Sequence, residues 1–358
     1  MRVVDAISQI LKREGVDFLA CYPTNTLIEA AAAAGITPVI CRQERVGVGI
    51  ADGYTRILNG RRIGVFTMQA GPGAENAYSG ITTAYSDSVP VLLLPVGHTR
   101  STSQVHHFFR STQSYASVTK WTEGIALASD TSDVMRRAFS LLKMGRPGPV
   151  LVEIPADVAT EDIKEDELNY APVRRTVSGA NPQDIAEAAR ILVQAQSPII
   201  IAGQGVLYAA ASDELVELAE LLQAPVTTPL EGKSAFPEIH PLSLGTGAGV
   251  MPPTVHEFLR TADVVFAVGA SLTRHSIVAA PIPAGKTIIH ATNDERDLNK
   301  HYIADVPILG DAKPVLRQFI EAVKDAQGAN GQKKADAVIA KIREIREPWL
   351  KQWMPKLT

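Results

Sequence analysis

The chain has 358 residues, of which 46% are hydrophobic and 20% charged, with a formal net charge of −3. That length exceeds one ordinary hydrophobic core and predicts two domains. The small negative charge gives no reason to expect nucleic acid or an anionic membrane as partner. The only cysteines, Cys21 and Cys41, have neither disulfide-framework nor zinc-site spacing, so no metal site is expected. The amphipathic N-terminus lacks the apolar core of a signal peptide, and no apolar run nears the ~20 residues a membrane helix needs, so a cytoplasmic protein is expected.

Strands and helices alternate along the chain. Residues 5–14 read as a helix with Ala6, Ile7, Ile10 and Leu11 on one face. Strand 18–22 follows and is broken by Pro23. Helix 26–34, strand 38–41 and helix 46–58 come next. Strand 63–68 ends in Gly71-Pro72-Gly73, before helix 76–86 and strand 89–94. Strand 150–154 closes the first unit. A polar stretch over 160–181 reads as a linker. The second half has strands 198–202, 225–227, 264–268 and 287–290, with 306–309 at an edge. Residues 325–331 form a small polar break, and 333–353 a charged, exposed helix. Short apolar strands separated by helices predict α/β architecture: two doubly wound parallel-sheet domains.

Four features carry candidate chemistry. Arg42-Gln43-Glu44-Arg45 lies where a strand meets a helix, and a carboxylate there is also explained by the positive helix N-terminus. Gly71-Pro72-Gly73 follows a strand and either admits a ligand close to the backbone or is a tight turn. Gly203-Gln204-Gly205 opens like a dinucleotide fingerprint, but its third glycine position holds Tyr208. His106-His107 sits in a polar stretch without clear period, where histidines either act near neutral pH or are inert. The pair and Gln113 lie between the Gly-Pro-Gly turn and Lys120, and Gln69 lies just before that turn, which marks these four as candidate pocket residues.

In this order the pieces resemble the acetolactate synthase-like branch of thiamine-diphosphate-dependent enzymes. RQERVGVGIADGYTR at 42–56 is similar to that family's glutamate-bearing A-x-G-Y-A-R helix. VFTMQAGPGAENAYSGITTAYSDSVPVLLLPV at 65–96 resembles its GPGATN…DSVP stretch, and GRPGPVLVEIPAD at 145–157 the end of its pyrimidine domain. Ala235-Phe236-Pro237, the run from Pro241 to Gly245, the run from Ala262 to Gly269, and the run from His290 to Asp294 resemble its central domain. The resemblance implies a pyrimidine-binding domain over 1–170, a central domain over 182–324 and a helical tail over 331–358.

The resemblance also implies roles. Glu44 would hydrogen-bond the aminopyrimidine of thiamine diphosphate, so that a ring nitrogen of the cofactor removes the thiazolium proton. Pro23, Gly71, Pro72, Gly73 and Asn76 would join it around the cofactor, and His106, His107 and Gln113 would join it in catalysis. An adenine nucleotide, FAD or ADP, would fall on Gly203, Gly205, Arg274, Asp294 and Asp311. Related proteins carry a third domain with a GDG…NN motif for the diphosphate and Mg2+. The sequence contains no Gly-Asp-Gly and no Asn-Asn, and Gly310-Asp311-Ala312 belongs to the central-domain match. Thiamine diphosphate would then be shared with a second subunit that holds the diphosphate and Mg2+, in a heterotetramer or larger assembly. A fragment, or a protein that has lost catalysis, are the alternatives. Pro348, Trp349 and Trp353 on the last helix are a candidate surface for that partner. Phe109-Arg110-Ser111 replaces the family's Phe-Gln-Glu, and Thr24 its glycine after Tyr-Pro. The expected reaction is making or breaking a C–C bond next to a carbonyl, on a small 2-oxo acid or an acyl-CoA-type substrate. The alternative is a non-catalytic, adenine-nucleotide-binding or regulatory subunit.

Overall fold

The computed structural model describes residues 1–23, 25–164, 168–275, 277–327 and 335–356. Thr24, part of the 325–331 break and the start of the expected 333–353 helix lie outside them. The chain divides into two compact units between Thr176 and Val177.

The first unit runs α1 (Val3–Arg13), β1 (Phe18–Cys21), α2 (Thr26–Ala33), β2 (Thr37–Ile40), α3 (Glu44–Ile57), β3 (Gly64–Gln69), α4 (Pro72–Ser86), β4 (Val91–Gly97), α5 (Ser111–Ser114), β5 (Trp121–Gly124), α6 (Thr131–Lys143), β6 (Val150–Pro155) and α7 (Ala156–Thr160). All its strands are parallel, in the order β2-β1-β3-β4-β6-β5. Both faces are covered. Leu92, Leu94, Val150 and Val152 pack under α1, α2 and α6, while Phe66, Met68, Leu93 and Leu151 pack under α3 and α4. The period-2 alternation of a strand thus feeds two separate cores.

The second unit runs α8 (Pro182–Gln194), β7 (Pro198–Ala202), α9 (Gln204–Tyr208), α10 (Ser212–Leu222), β8 (Val226–Thr228), β9 (Ser243–Thr246), α11 (Pro253–Thr261), β10 (Val264–Val268), β11 (Thr287–Thr292), β12 (Val306–Leu309), α12 (Ala312–Gln327) and α13 (Ala335–Trp353). Its sheet is also parallel, ordered β12-β11-β10-β7-β8-β9. Residues of α8, α10 and α12 cover one face, and of α11 and α13 the other. Among the described residues no helix is long and apolar enough to cross a membrane.

Several boundaries differ from expectation. The helix expected to start at 76 starts at Pro72, because proline suits a first helical position whose N–H would be unpaired anyway. Glu44, expected just ahead of its helix, is that helix's first residue. The segment read as a linker is largely bound to the first unit: Ile163, Leu168 and Tyr170 are buried in its core. Glu14 explains how. Its side chain is fully buried, pairs with Lys143, and accepts hydrogen bonds from Tyr170 Oη at 2.5 Å and Val173 N at 2.8 Å. The final helix, expected to lie exposed, buries Ile342 and half-buries Val338 and Ile339.

Gly203 and Gly205 earn their residue type from crowding. A Cβ on Gly203 would fall 2.3 Å from the Gly269 carbonyl oxygen and 2.5 Å from Ala270 Cα, and one on Gly205 would fall 2.8 Å from Gly269 Cα. The Gly205 amide donates to that same Gly269 oxygen at 2.9 Å. Backbone cannot yield as a flexible side chain can. Gly203→Ala is therefore expected to destabilise the second unit by about 1–3 kcal/mol, the usual cost of overpacking, read as a lowered thermal midpoint; an unchanged midpoint would show the contact to be loose.

Candidate active site

The sequence folds so that Glu44 ends up inside. Gln43 caps α3 in an extended conformation, Glu44 takes the first helical position, and Val48, Ala51 and Thr55 carry the helix's buried stripe against the sheet. The Glu44 side chain is thereby turned under the first turn of α4, leaving the residue 6% exposed. Asn76, one turn into α4, donates from Nδ2 to Glu44 Oε2 at 3.3 Å. The other oxygen faces Gly73: a Cβ there would lie 3.5 Å from Oε1. Gly71, the residue before α4, has φ +74°, which favours glycine, and a Cβ on it would lie 3.5 Å from His98 Nε2. The bare Gly71-Pro72-Gly73 backbone thus runs between a carboxylate and an imidazole. Glu44 can hydrogen-bond a ring nitrogen brought against it, and neither glycine puts a side chain beside it.

The remaining candidates fall in different places. Pro23, Gln69, Pro72 and Asn76 are exposed around the carboxyl ends of β1 and β3 and the start of α4. His106 and His107 are exposed on the loop after β4, their rings edge to face at 5.4 Å. Gln113 is exposed on α5. In the second unit the nucleotide candidates gather at the carboxyl ends of β7, β10, β11 and β12. Gly203 and Gly205 pack against Gly269. Arg274 lies over Tyr302 at 5.1 Å and donates to the His301 carbonyl. Asp294 accepts from Arg296, and Asp311 from Ser178 N and Asn293 Nδ2. Among the described residues no group of three or more His, Cys, Asp or Glu could hold a metal ion.

Three further residues of the first unit escaped the sequence. His98 follows the last residue of β4. Tyr115, fully buried, donates from Oη to the Ala74 carbonyl at 2.5 Å and so ties the loop to α4; burial pushes its phenol well up. Glu153 in β6 has its carboxyl pushed up by burial, opposed by a hydrogen bond from the Thr112 amide. Only His98 had a readable signal: it directly follows an apolar strand, where open α/β sheets bind their ligands.

The chain thus consists of two doubly wound α/β domains in tandem, the first with a buried acid at the carboxyl edge of its sheet. The family described as "thiamine pyrophosphate enzyme, N-terminal TPP binding domain" matches residues 1–117, and "thiamine pyrophosphate enzyme, central domain" matches 185–319. The chain belongs to this thiamine pyrophosphate enzyme family. It is 33% identical over 342 residues to a probable acetolactate synthase large subunit of Methanocaldococcus jannaschii, covering 90% of this chain and 56% of that protein. It is 30% identical over 340 residues to the glyoxylate carboligase of Escherichia coli O157:H7, covering 92% and 57%. The benzoylformate decarboxylase of Polynucleobacter necessarius shares its fold, with a TM-score of 0.79 at 22% identity over 94% of this chain and 63% of that one. The chain therefore spans somewhat over half the length of these relatives.

Proposed function

We propose that the chain supplies the cofactor-activating half of a thiamine-diphosphate enzyme that makes or breaks a C–C bond next to the carbonyl of a small 2-oxo acid. The observation that carries this is the buried Glu44 carboxylate, held by Asn76 and facing a glycine turn that puts no side chain against it. The residues fit an aminopyrimidine ring: a flat ring with nitrogen donors needs one carboxylate oxygen on its edge and no side chain against its face. Glu44, Gly71, Pro72, Gly73 and Asn76 would hold it, with Pro23 at the rim. Bound thiamine diphosphate supplies the electron sink for breaking a bond next to a carbonyl. Glu44 would accept the hydrogen bond of its pyrimidine nitrogen and exchange a proton with it, a task suited to a carboxylate out of bulk water. Asn76 fixes the carboxylate's orientation, and the glycines keep the ring's approach clear.

We further propose that a second subunit holds the diphosphate and Mg2+. Pro23, Pro72 and Asn76 are exposed beside a buried acid, the geometry of a site with one wall in place. Calorimetric titration of the chain with thiamine diphosphate and Mg2+, with and without a candidate diphosphate-domain subunit, tests both statements. The partner is expected to tighten binding by at least about tenfold, and native mass measurement to show a complex with two or more copies of each chain. Binding of FAD or ADP, with no thiamine diphosphate bound in either condition, would overturn the reading.

A further inference from the structure

The strand ends beside Glu44 are pressed together. A Cβ on Gly97 would lie 1.7 Å from Ala70 Cβ, so β3 and β4 meet at their carboxyl ends without a side chain between them. His98 lies against Gly71, in the same turn whose Gly73 faces Glu44. The His98 ring is fixed without use of its nitrogens: it stacks on Phe108, with centroids 3.9 Å apart and planes 6° from parallel. Its Nε2 is buried and makes no hydrogen bond to any described residue. A buried polar atom is stabilised by a hydrogen-bonding partner, from water or a ligand.

The surrounding charge says which kind. From Ser88 to Thr122 the sequence has no aspartate or glutamate, yet it carries His98, Arg100, His106, His107, Arg110 and Lys120. Arg100 is paired with Asp157 and Glu161, and Lys120 donates to the Leu141 and Met144 carbonyls. Half-buried Arg110 adds a positive charge to this edge of the sheet, and the three histidines near it in sequence are ring N–H donors for an anion. The stack on Phe108 brings the His106-His107 segment back beside His98.

We propose that His98 is a substrate-binding group of the Glu44 site, its Nε2–H donating a hydrogen bond to the carboxylate of the 2-oxo acid. This rests on the function proposed above and adds the atom that recognises the substrate's acid group. The test uses the full chain with thiamine diphosphate and Mg2+, titrated with pyruvate, while histidine side-chain 1H–15N correlations are followed; inorganic phosphate is the control anion. The His98 signals are identified by their loss in His98→Phe, which keeps the stack. Pyruvate is expected to shift His98 Nε2 to saturation, whereas phosphate moves only His106 and His107. His98→Phe should weaken pyruvate binding by at least about tenfold without lowering the thermal midpoint or the affinity for thiamine diphosphate. His98→Gln, whose amide nitrogen reaches the place of Nε2, should restore most of it. A His98 signal unmoved by saturating pyruvate overturns the proposal, whatever the fate of the variants. A wild-type chain that binds pyruvate at His98 and never binds thiamine diphosphate leaves this anion site standing and overturns the cofactor reading instead.

Discussion

Glu44→Gln is expected to slow exchange of the thiazolium proton of bound thiamine diphosphate by about 10²–10⁴-fold, the range general acid–base catalysis supplies. The amide is nearly the same size, so the contact with Gly73 survives and the fold should too. Gln can still hydrogen-bond to Asn76 and to a pyrimidine nitrogen. What it cannot do is take up and return a proton, and that difference isolates the chemical role from a packing role. The measurement is deuterium exchange at the cofactor in the assembled enzyme, followed by rapid quench and NMR, alongside cofactor affinity. Exchange at the wild-type rate would remove Glu44 from the mechanism. A loss of affinity with unchanged exchange would reduce it to a binding contact.

The second large effect concerns stability. Glu14→Ala is expected to cost about 3–5 kcal/mol, the range for breaking a buried ion pair by removing one partner. The change takes the carboxylate from Lys143, whose side chain is 22% exposed and keeps the Val173 carbonyl as acceptor, and removes the acceptor for Tyr170 Oη and Val173 N at once. For a unit of this size that corresponds to a fall of roughly 10 °C in its midpoint. Glu14→Gln keeps an acceptor for the last two and should lose less. Scanning calorimetry with limited proteolysis checks both: the alanine variant should be cut early in the segment from Tyr170 onward. An equal loss in the two variants would assign the effect to the ion pair alone.

What the sequence revealed follows the range of the forces involved. Runs such as Ile199 to Ile201 and Val264 to Val268 announce central parallel strands because both their faces are buried, and their neighbours in sequence carry the whole signal. The edge strands β5 and β9, with sequences WTEG and SLGT, are half-polar and short, so nothing local separates them from loop. Helix α6 was legible in principle, since Val134, Met135, Ala138, Phe139 and Leu142 are buried at helical spacing, but no element was assigned to that segment. Glu44 was found through the order of several motifs together; alone it looks like any acid at a helix start. His98 is a single histidine with no partner at fixed spacing, and its meaning comes from Gly71 and Phe108, which only the fold brings to it. Gly203 and Gly205 read as the start of a dinucleotide fingerprint; the fold adds a packing demand on them from Gly269, just after β10, a strand that joins theirs only in the folded sheet.

That contact also constrains how the second unit can change. Its site is where the strand order reverses, between β7 and β10, the crevice in which open α/β sheets ordinarily receive a ligand. Here main chain meets main chain, with Gly203, Gly205 and Gly269 at van der Waals distance or closer to any added methyl. The three positions therefore behave as one unit under substitution: a side chain gained at any of them is tolerated only if the opposite loop retreats. A lineage that widened this crevice to admit a phosphate would have to move the loop after β10 first, before any binding residue could be selected.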